Sequence, residues 1–262
     1  MVSKLQEPVF LKIVKRVQES KNAFSLFFDY SLEAEPGQFL MCWAPGIDEK
    51  PMAVAYQTKK QFGVTVQIYG PFSEYLSKLK VGGKVGFRGP FGKPFPVKKG
   101  ESCVVAGGVG ISSLATLIEQ LKNPVIIAGA RSNEHIIYKN RFKNTIFCTD
   151  DGSFGFKGYN TVKLDEVLEK NKKIKTVYAC GPEAMIVNVL KVCDKHKVEC
   201  YASVERYMKC AFGICGACCL NEKLVCLDGS VFSSEELKQL PEFGKIYRNK
   251  AGVKVELWKA HK

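Results

Sequence analysis

The sequence predicts a β plus α/β fold class. An N-terminal antiparallel β-barrel leads into a central parallel α/β domain and a small C-terminal segment rich in cysteine. Three observations carry this reading. Short β-branched and aromatic runs fill the first hundred residues, and apolar strands alternate with amphipathic helical stretches after Glu101. Residues 208–232, MKCAFGICGACCLNEKLVCLDGSVF, then hold five of the eleven cysteines.

In the first part, LKIVKRVQES, AFSLFFDY, GQFLMCWAP, KPMAVAY and FGVTVQIYG have strand length and are separated by Gly, Pro, Asn and Asp. About six such strands predict a small antiparallel barrel. The run PFSEYLSKLKVGG is helical, with Ser73 as its N-cap and Gly82-Gly83 as its stop. The start of that helix, near Phe72 and Ser73, presents backbone N–H groups suited to a phosphate. The loop GPFGKPF and the polar PVKKGES that follows mark the end of the barrel.

In the second part, SCVVAGGVGISSLATLIEQL reads as a buried strand, a glycine-rich turn and a helix. NPVIIAGARS and NTIFCTDDGS add strands, TVKLDEVLEKN a helix, TVYACGPEAM a fourth strand, and EAMIVNVLKVCDKH a last helix. Such alternation implies a parallel sheet covered by helices, with ligands at the carboxyl ends of its strands. Two loops lie there. Gly107, Gly108 and Gly110 precede a helix opening with Ile111, Ser112 and Ser113, where backbone N–H groups can hold a pyrophosphate. Cys180, Gly181, Pro182 and Glu183 form the other, its cysteine either a buried structural thiol or a group lying against a nicotinamide ring. Asp150-Asp151-Gly152 reads as a turn.

Cys210, Cys215, Cys218 and Cys226 follow the spacing C-x4-C-x2-C-x7-C. That is the plant-type [2Fe–2S] pattern, in which four thiolates serve two tetrahedral irons. Zinc knuckles pair C-x2-C with a second such pair or with histidines, and no histidine lies in this stretch. Cys219, vicinal to Cys218, is expected to point away from the metal.

Net charge is +13, from 39 Lys and Arg against 26 Asp and Glu. The lysines are dispersed rather than striped and no nucleic-acid motif accompanies them, so a solvated basic surface is expected instead of nucleic-acid binding. Residues 102–118, the longest uncharged stretch, are too short and too broken by glycine to span a membrane. The N-terminus lacks the apolar core of a signal peptide, which points to the cytoplasm, where thiols stay reduced.

AGGVGISSL resembles the GGGxGxxPL loop of the ferredoxin–NADP reductase superfamily, and YACGPEAM its YxCGPxxM loop. TDDGSFGFKGYNT and VCLDGSVF look like segments of one group within it, the electron-transfer subunit of class B dihydroorotate dehydrogenase. The resemblance covers essentially the whole chain. It implies an FAD-binding barrel over residues 1–98, an NAD-binding α/β domain over 99–200 and a [2Fe–2S] segment over 201–262. It implies FAD contacts from Lys50, Pro51, Met52, Ala53, Val66, Gln67, Phe72 and Ser73. NAD(P) contacts would come from Gly107, Gly108, Gly110, Ile111, Ser113, Cys180, Gly181, Pro182 and Glu183, and Cys226 becomes the fourth cluster ligand. Two departures stand out: the group's Arg-Pro-x-Ser is Lys50-Pro51-Met52-Ala53, which loses a bidentate fork and a hydroxyl. The implied role is electron relay between NAD, FAD, the cluster and an FMN-containing catalytic subunit that oxidises dihydroorotate, as a heterotetramer of two of each, in de novo pyrimidine biosynthesis. The diaphorase subunit of a cytoplasmic hydrogenase, sulfide dehydrogenase or transhydrogenase is the alternative that shares these modules. A zinc-stabilised binding protein is a third reading.

Overall fold

The computed structural model describes residues 7–257. Met1–Gln6, on which the reading of the N-terminus partly rests, lie outside the described residues. Six antiparallel strands form the barrel: β1 (Val9–Ser20), β2 (Ala23–Asp29), β3 (Phe39–Ala44), β4 (Asp48–Gln57), β5 (Gln61–Gln67) and β6 (Lys84–Phe91). They close in the order β1-β2-β5-β4-β3-β6, with β6 returning to β1. Alternating apolar residues turn Phe24, Phe28, Phe62 and Phe87 inward, all buried. Phe28 and Phe87 meet edge to face at 4.6 Å and Phe62 and Phe87 at 5.2 Å, the geometry that aromatic quadrupoles favour.

Helix α1 (Pro71–Lys78) bridges β5 and β6. Its N-cap is Gly70, not Ser73, because Pro71 with its fixed φ occupies the first helical position. Ser73 sits three residues on and turns its Oγ back to accept the N–H groups of Tyr69 and Gly70, at 2.8 and 3.0 Å. The helix also stops at Lys78, earlier than Gly82-Gly83, where Leu79 becomes extended and packs on the barrel core. Those two glycines instead join β1 through Gly82 N–H to the Ile13 carbonyl and Ile13 N–H to the Gly83 carbonyl.

The α/β part follows, with β7 (Glu101–Gly107), α2 (Ile111–Gln120), β8 (Val125–Ala130), β9 (Thr145–Thr149), β10 (Phe156–Lys157), α3 (Asn160–Lys170), β11 (Ile174–Cys180), α4 (Glu183–His196) and β12 (Glu199–Ser203). After it come the short β13 (Cys219–Leu220), β14 (Lys223–Leu224) and α5 (Val225–Asp228), then β15 (Val231–Ser233), α6 (Ser234–Lys238) and the hairpin β16 (Ile246–Arg248) and β17 (Lys254–Glu256). The main sheet runs β10-β9-β8-β7-β11-β12-β15, parallel except for β15. The four sheet strands read from the sequence are β7, β8, β9 and β11. The other three are short or polar, and pattern alone does not reveal them. Strand β12 runs across the expected boundary at residue 200, and β15 brings the cysteine segment into the same sheet.

The barrel and the sheet share a buried junction. Arg141 lies over the Tyr56 ring at 3.6 Å, donates to the Ala55 carbonyl at 2.7 Å and pairs with Glu119. Tyr138 and Thr65 share a hydrogen bond, and Thr65 continues it to Ser25. Tyr178 at the centre of the sheet accepts Lys98 N–H and donates to the Pro96 carbonyl, which fixes the linker. On the other edge, Phe232 of β15 is 1% exposed in the main core. Phe232→Ala is expected to cost about 3–5 kcal/mol, measured as a lowered denaturant midpoint with unchanged slope.

Candidate functional site

A cavity of about 830 Å³ opens between the barrel, α1 and the chain that follows β12. Strand β4 supplies Lys50, Pro51, Met52 and Ala53, β5 supplies Gln67, and α1 supplies Phe72 and Ser73. Ser113 of α2 lines it from the opposite side. Eight residues singled out from the sequence thus meet in one cavity. Val66 does not line it: neighbouring strand residues face opposite sides, so Val66 points into the barrel core while Gln67 faces the cavity.

Sequence reasoning missed the wall formed by Ser203, Glu205, Arg206, Tyr207 and Met208, and the lysine at the hairpin tip, Lys250. These residues are distant in sequence from the barrel, and no local motif marks them. Lys50 pairs with Asp48 at 2.6 Å and lies 4.9 Å from the centre of the Tyr207 ring. Arg206 is buried and ion-paired with Glu183, with a second bond at 3.1 Å between Arg206 Nη2 and Glu183 Oε1. Glu183, expected to meet a nucleotide, is therefore committed to Arg206 and to the Gly244 N–H. Breaking such a pair leaves an uncompensated buried charge. Arg206 Nε is buried without a hydrogen-bond partner.

Glu205 has open surface within the cavity yet is walled in by protein. That burial, reinforced by the Glu183 charge, pushes its carboxyl above the ordinary range. Cys180 lies beneath the same wall. Burial, then the Glu205 charge, pushes its thiol up to about 12 against the opposing Ser113 and Ser203 hydroxyls. It is a neutral thiol at physiological pH, neither nucleophile nor base.

The two glycine loops pack face to face. A Cβ on Gly107 would stand 2.7 Å from Met185 Sδ, and one on Gly110 would stand 2.4 Å from the Cys180 carbonyl oxygen. Only glycine permits this backbone approach. Asn160, unremarked in the sequence, secures it by donating to the Ala106 carbonyl at 2.9 Å from the start of α3. Gly108 and Ile111 line a separate small hollow at the ends of β7 and β8, with Gly129 and His135. Gly181 has φ +156° and sits against Gly107, and Pro182 caps α4. Asp150-Asp151-Gly152 is a turn, closed by Gly152 N–H to the Thr149 carbonyl.

The cysteine loop begins where the cavity wall ends. Met208 lines the cavity and Cys210 is two residues on, so their Cα atoms stand at most about 7 Å apart. Among the described residues, no group of three or more His, Cys, Asp or Glu side chains is placed to hold a single metal ion. The four cysteines meet instead as two pairs: the Cys215 N–H donates to Cys210 Sγ at 3.5 Å and the Cys226 N–H to Cys218 Sγ at 3.4 Å. Two pairs suit two irons that each take two thiolates. Burial raises the Cys210 thiol, but the N–H groups of Cys215, Phe212 and Ile214 outweigh it and bring it to about 7. Cys218 is held at about 6, first by the Cys226 thiol and then, against burial, by the Cys226 N–H. Sulfurs so supplied with backbone donors fit an anionic cluster. Ala211, Gly213 and Gly216 take positive φ to make these turns. Cys219 leaves the loop along β13, which pairs with β14.

A family model described as the iron-sulfur cluster binding domain of dihydroorotate dehydrogenase B matches residues 205–238. A protein of Methanocaldococcus jannaschii named a probable dihydroorotate dehydrogenase B (NAD(+)) electron transfer subunit is 38% identical, over 96% of this chain and 99% of its own. One of Pyrococcus abyssi with the same name is 41% identical, over 87% and 91%. The chain belongs to the dihydroorotate dehydrogenase B electron transfer subunit family. Members of this family are oxidoreductase subunits that carry electrons, and membership favours this reading over the diaphorase alternative. A solved structure of an NADH-dependent reduced ferredoxin–NADP oxidoreductase superposes with a TM-score of 0.79 at 27% identity, over 90% of this chain and 92% of that one. The cytochrome b5 reductase domain of Ulva prolifera nitrate reductase shares the fold, with a TM-score of 0.62 at 14% identity over 74% of this chain and 94% of that one.

Two outcomes test this geometry. Gly110→Ala should lower the melting temperature and abolish reduction by NADH while leaving reduction by dithionite intact, as absorbance would record. For Glu205, a raised carboxyl contributes stability that is present at acid pH and is lost as pH climbs toward the folded value. Glu205→Gln should remove that loss. The difference in melting temperature in favour of the glutamine variant should then widen from pH 4 to pH 8.

Proposed function

We propose that this chain relays electrons between NAD(H) and an FMN-containing dihydroorotate dehydrogenase subunit, through FAD in the cavity and a [2Fe–2S] cluster in the cysteine loop. The observation that carries this is the continuity of Met208 with Cys210, which sets the cavity against the first cysteine. Flavin, when bound, supplies the exchange between two-electron and one-electron chemistry. The chain's own residues do the holding. Lys50 and Arg206 offer cations to an anionic ligand, the walls of Phe39, Met52, Phe72 and Met208 exclude water, and Ser113 carries a hydroxyl in from the α/β side. At the start of the first glycine loop, Gly108 has open space where a side chain would stand, which leaves backbone there for a dinucleotide. Cys210, Cys215, Cys218 and Cys226 ligate the cluster as two pairs. Around the exposed Cys215, Phe212, Ile214 and Leu227 are 50%, 79% and 55% exposed. Such an apolar rim suits docking of the catalytic subunit, and a heterotetramer of two of each follows from the family reading. Among the described residues no helix is long and apolar enough to cross a membrane. The work is assigned to the cytoplasm, where thiols remain reduced.

Cys215→Ser should remove the cluster spectrum while NADH-to-dye reduction through flavin persists; a full iron–sulfur spectrum in this variant would show that Cys215 is not a ligand. Purification of the tagged chain from its host should bring down an FMN-containing partner and dihydroorotate-dependent reduction of NAD+. A coloured, NADH-reducible preparation lacking that activity would point to another acceptor.

A further inference from the structure

Arg88 stands on β6 opposite Met41 of β3, with a side chain only 13% exposed. Its guanidinium grips Glu49 bidentately, Nε to Oε1 and Nη2 to Oε2, both at 2.7 Å. The same group donates from Nη1 to the Cys210 carbonyl at 3.1 Å and from Nη2 to the Lys209 carbonyl at 3.4 Å. Glu49 lies between Asp48 and Lys50, both of which line the cavity. One side chain therefore joins the strand that walls the cavity to the backbone of the first cysteine. Immediately afterwards the chain enters the left-handed region at Ala211, φ +69°, a conformation that persists in a non-glycine residue only where its surroundings enforce it.

We infer that Arg88 is a positioning residue for the iron–sulfur cluster. It clasps the Cys210 end of the loop to the cavity wall, and its charge, opposed by Glu49, sets the cluster's redox poise. The inference rests on the cluster reading of the cysteine loop. Arginine suits the task because its planar fork engages a carboxylate and two carbonyls together, whereas lysine is a single point charge. Reduction adds negative charge to a cluster, and nearby charges and hydrogen bonds set its potential. A guanidinium beside Cys210 favours the reduced form, and the Glu49 carboxylate offsets it.

The experiment uses the full chain purified anaerobically with its cluster and compares Arg88→Gln, Arg88→Lys, Glu49→Gln and the double variant Arg88→Gln/Glu49→Gln. The readouts are iron retained against a chelator and the midpoint potential from a redox titration followed by electron paramagnetic resonance. Arg88→Gln should release iron about 10- to 100-fold faster, the usual effect of losing a group that supports metal ligands, and should lower the potential. Glu49→Gln should raise the potential. The double variant should return it toward the wild-type value while still losing iron quickly. Arg88→Lys should hold the potential near wild type but not the iron, which keeps the inference open to test should the glutamine variant fold poorly. Equal iron retention and equal potentials throughout would overturn the inference. Shifts of the same sign from Arg88→Gln and Glu49→Gln would reduce Arg88 to a merely structural contact. A wild-type chain that takes up no cluster would instead overturn the reading on which this inference stands.

Discussion

One pairing holds the functional parts together: Ser203, the last residue of β12, faces Val231, the first residue of β15. The Val204 N–H closes the base of the excursion on the Ser230 carbonyl at 2.9 Å. Between these points the chain crosses the cavity mouth, turns through the cysteines and returns. Without that antiparallel closure the cysteine loop would be an appendage free to move relative to the sheet. With it, the cavity wall and the first cysteine are consecutive parts of one braced segment. The loop is braced further by Glu242, whose carboxylate accepts the Asn221 N–H at 3.1 Å and pairs with Lys254 of the terminal hairpin.

Charge is placed sparingly and with consequence around this segment. The Arg206 and Glu183 side chains are only 2% and 9% exposed, and such pairs contribute little net stability against the cost of removing two ions from water. Their use is positional: the pair ties the cavity wall to the start of α4, and hence to the loop that holds Cys180. Glu205, next along the chain, is destabilised as a carboxylate by the same surroundings. The cavity thus has a cationic side at Lys50 and Lys250 and a side where the Glu205 carboxyl is held above its ordinary range.

What was legible in the sequence follows the range of the physics involved. The cysteine spacing could be read because ligation to a fixed cluster constrains a few neighbouring residues. The barrel strands and the β7–α2 and β11–α4 units could be read because their periodicity is local. Ser73 was misplaced by three positions because the fixed φ of Pro71, not the hydroxyl, decides where α1 begins. Strand alternation turns the Val66 and Gln67 side chains to opposite sides, so only the Gln67 side chain lines the cavity. The rest of the cavity, from Arg206 to Lys250, and the clasp from Arg88 to Cys210 depend on contacts between distant segments. The closing strand β15 is only three residues long, too short to announce itself.

The central claim is that flavin and cluster lie on one electron path that begins at NADH. An anaerobic NADH titration of the chain carrying its flavin and cluster but separated from any FMN-containing partner, followed by absorbance and electron paramagnetic resonance in the same samples, tests it most directly. The account predicts bleaching of the flavin band together with the signal of a reduced [2Fe–2S] cluster, complete at about 1.5 NADH per chain, since flavin takes two electrons and the cluster one. Flavin bleaching at about one NADH per chain, with the cluster still oxidised but reducible by dithionite at a comparable potential, would contradict it.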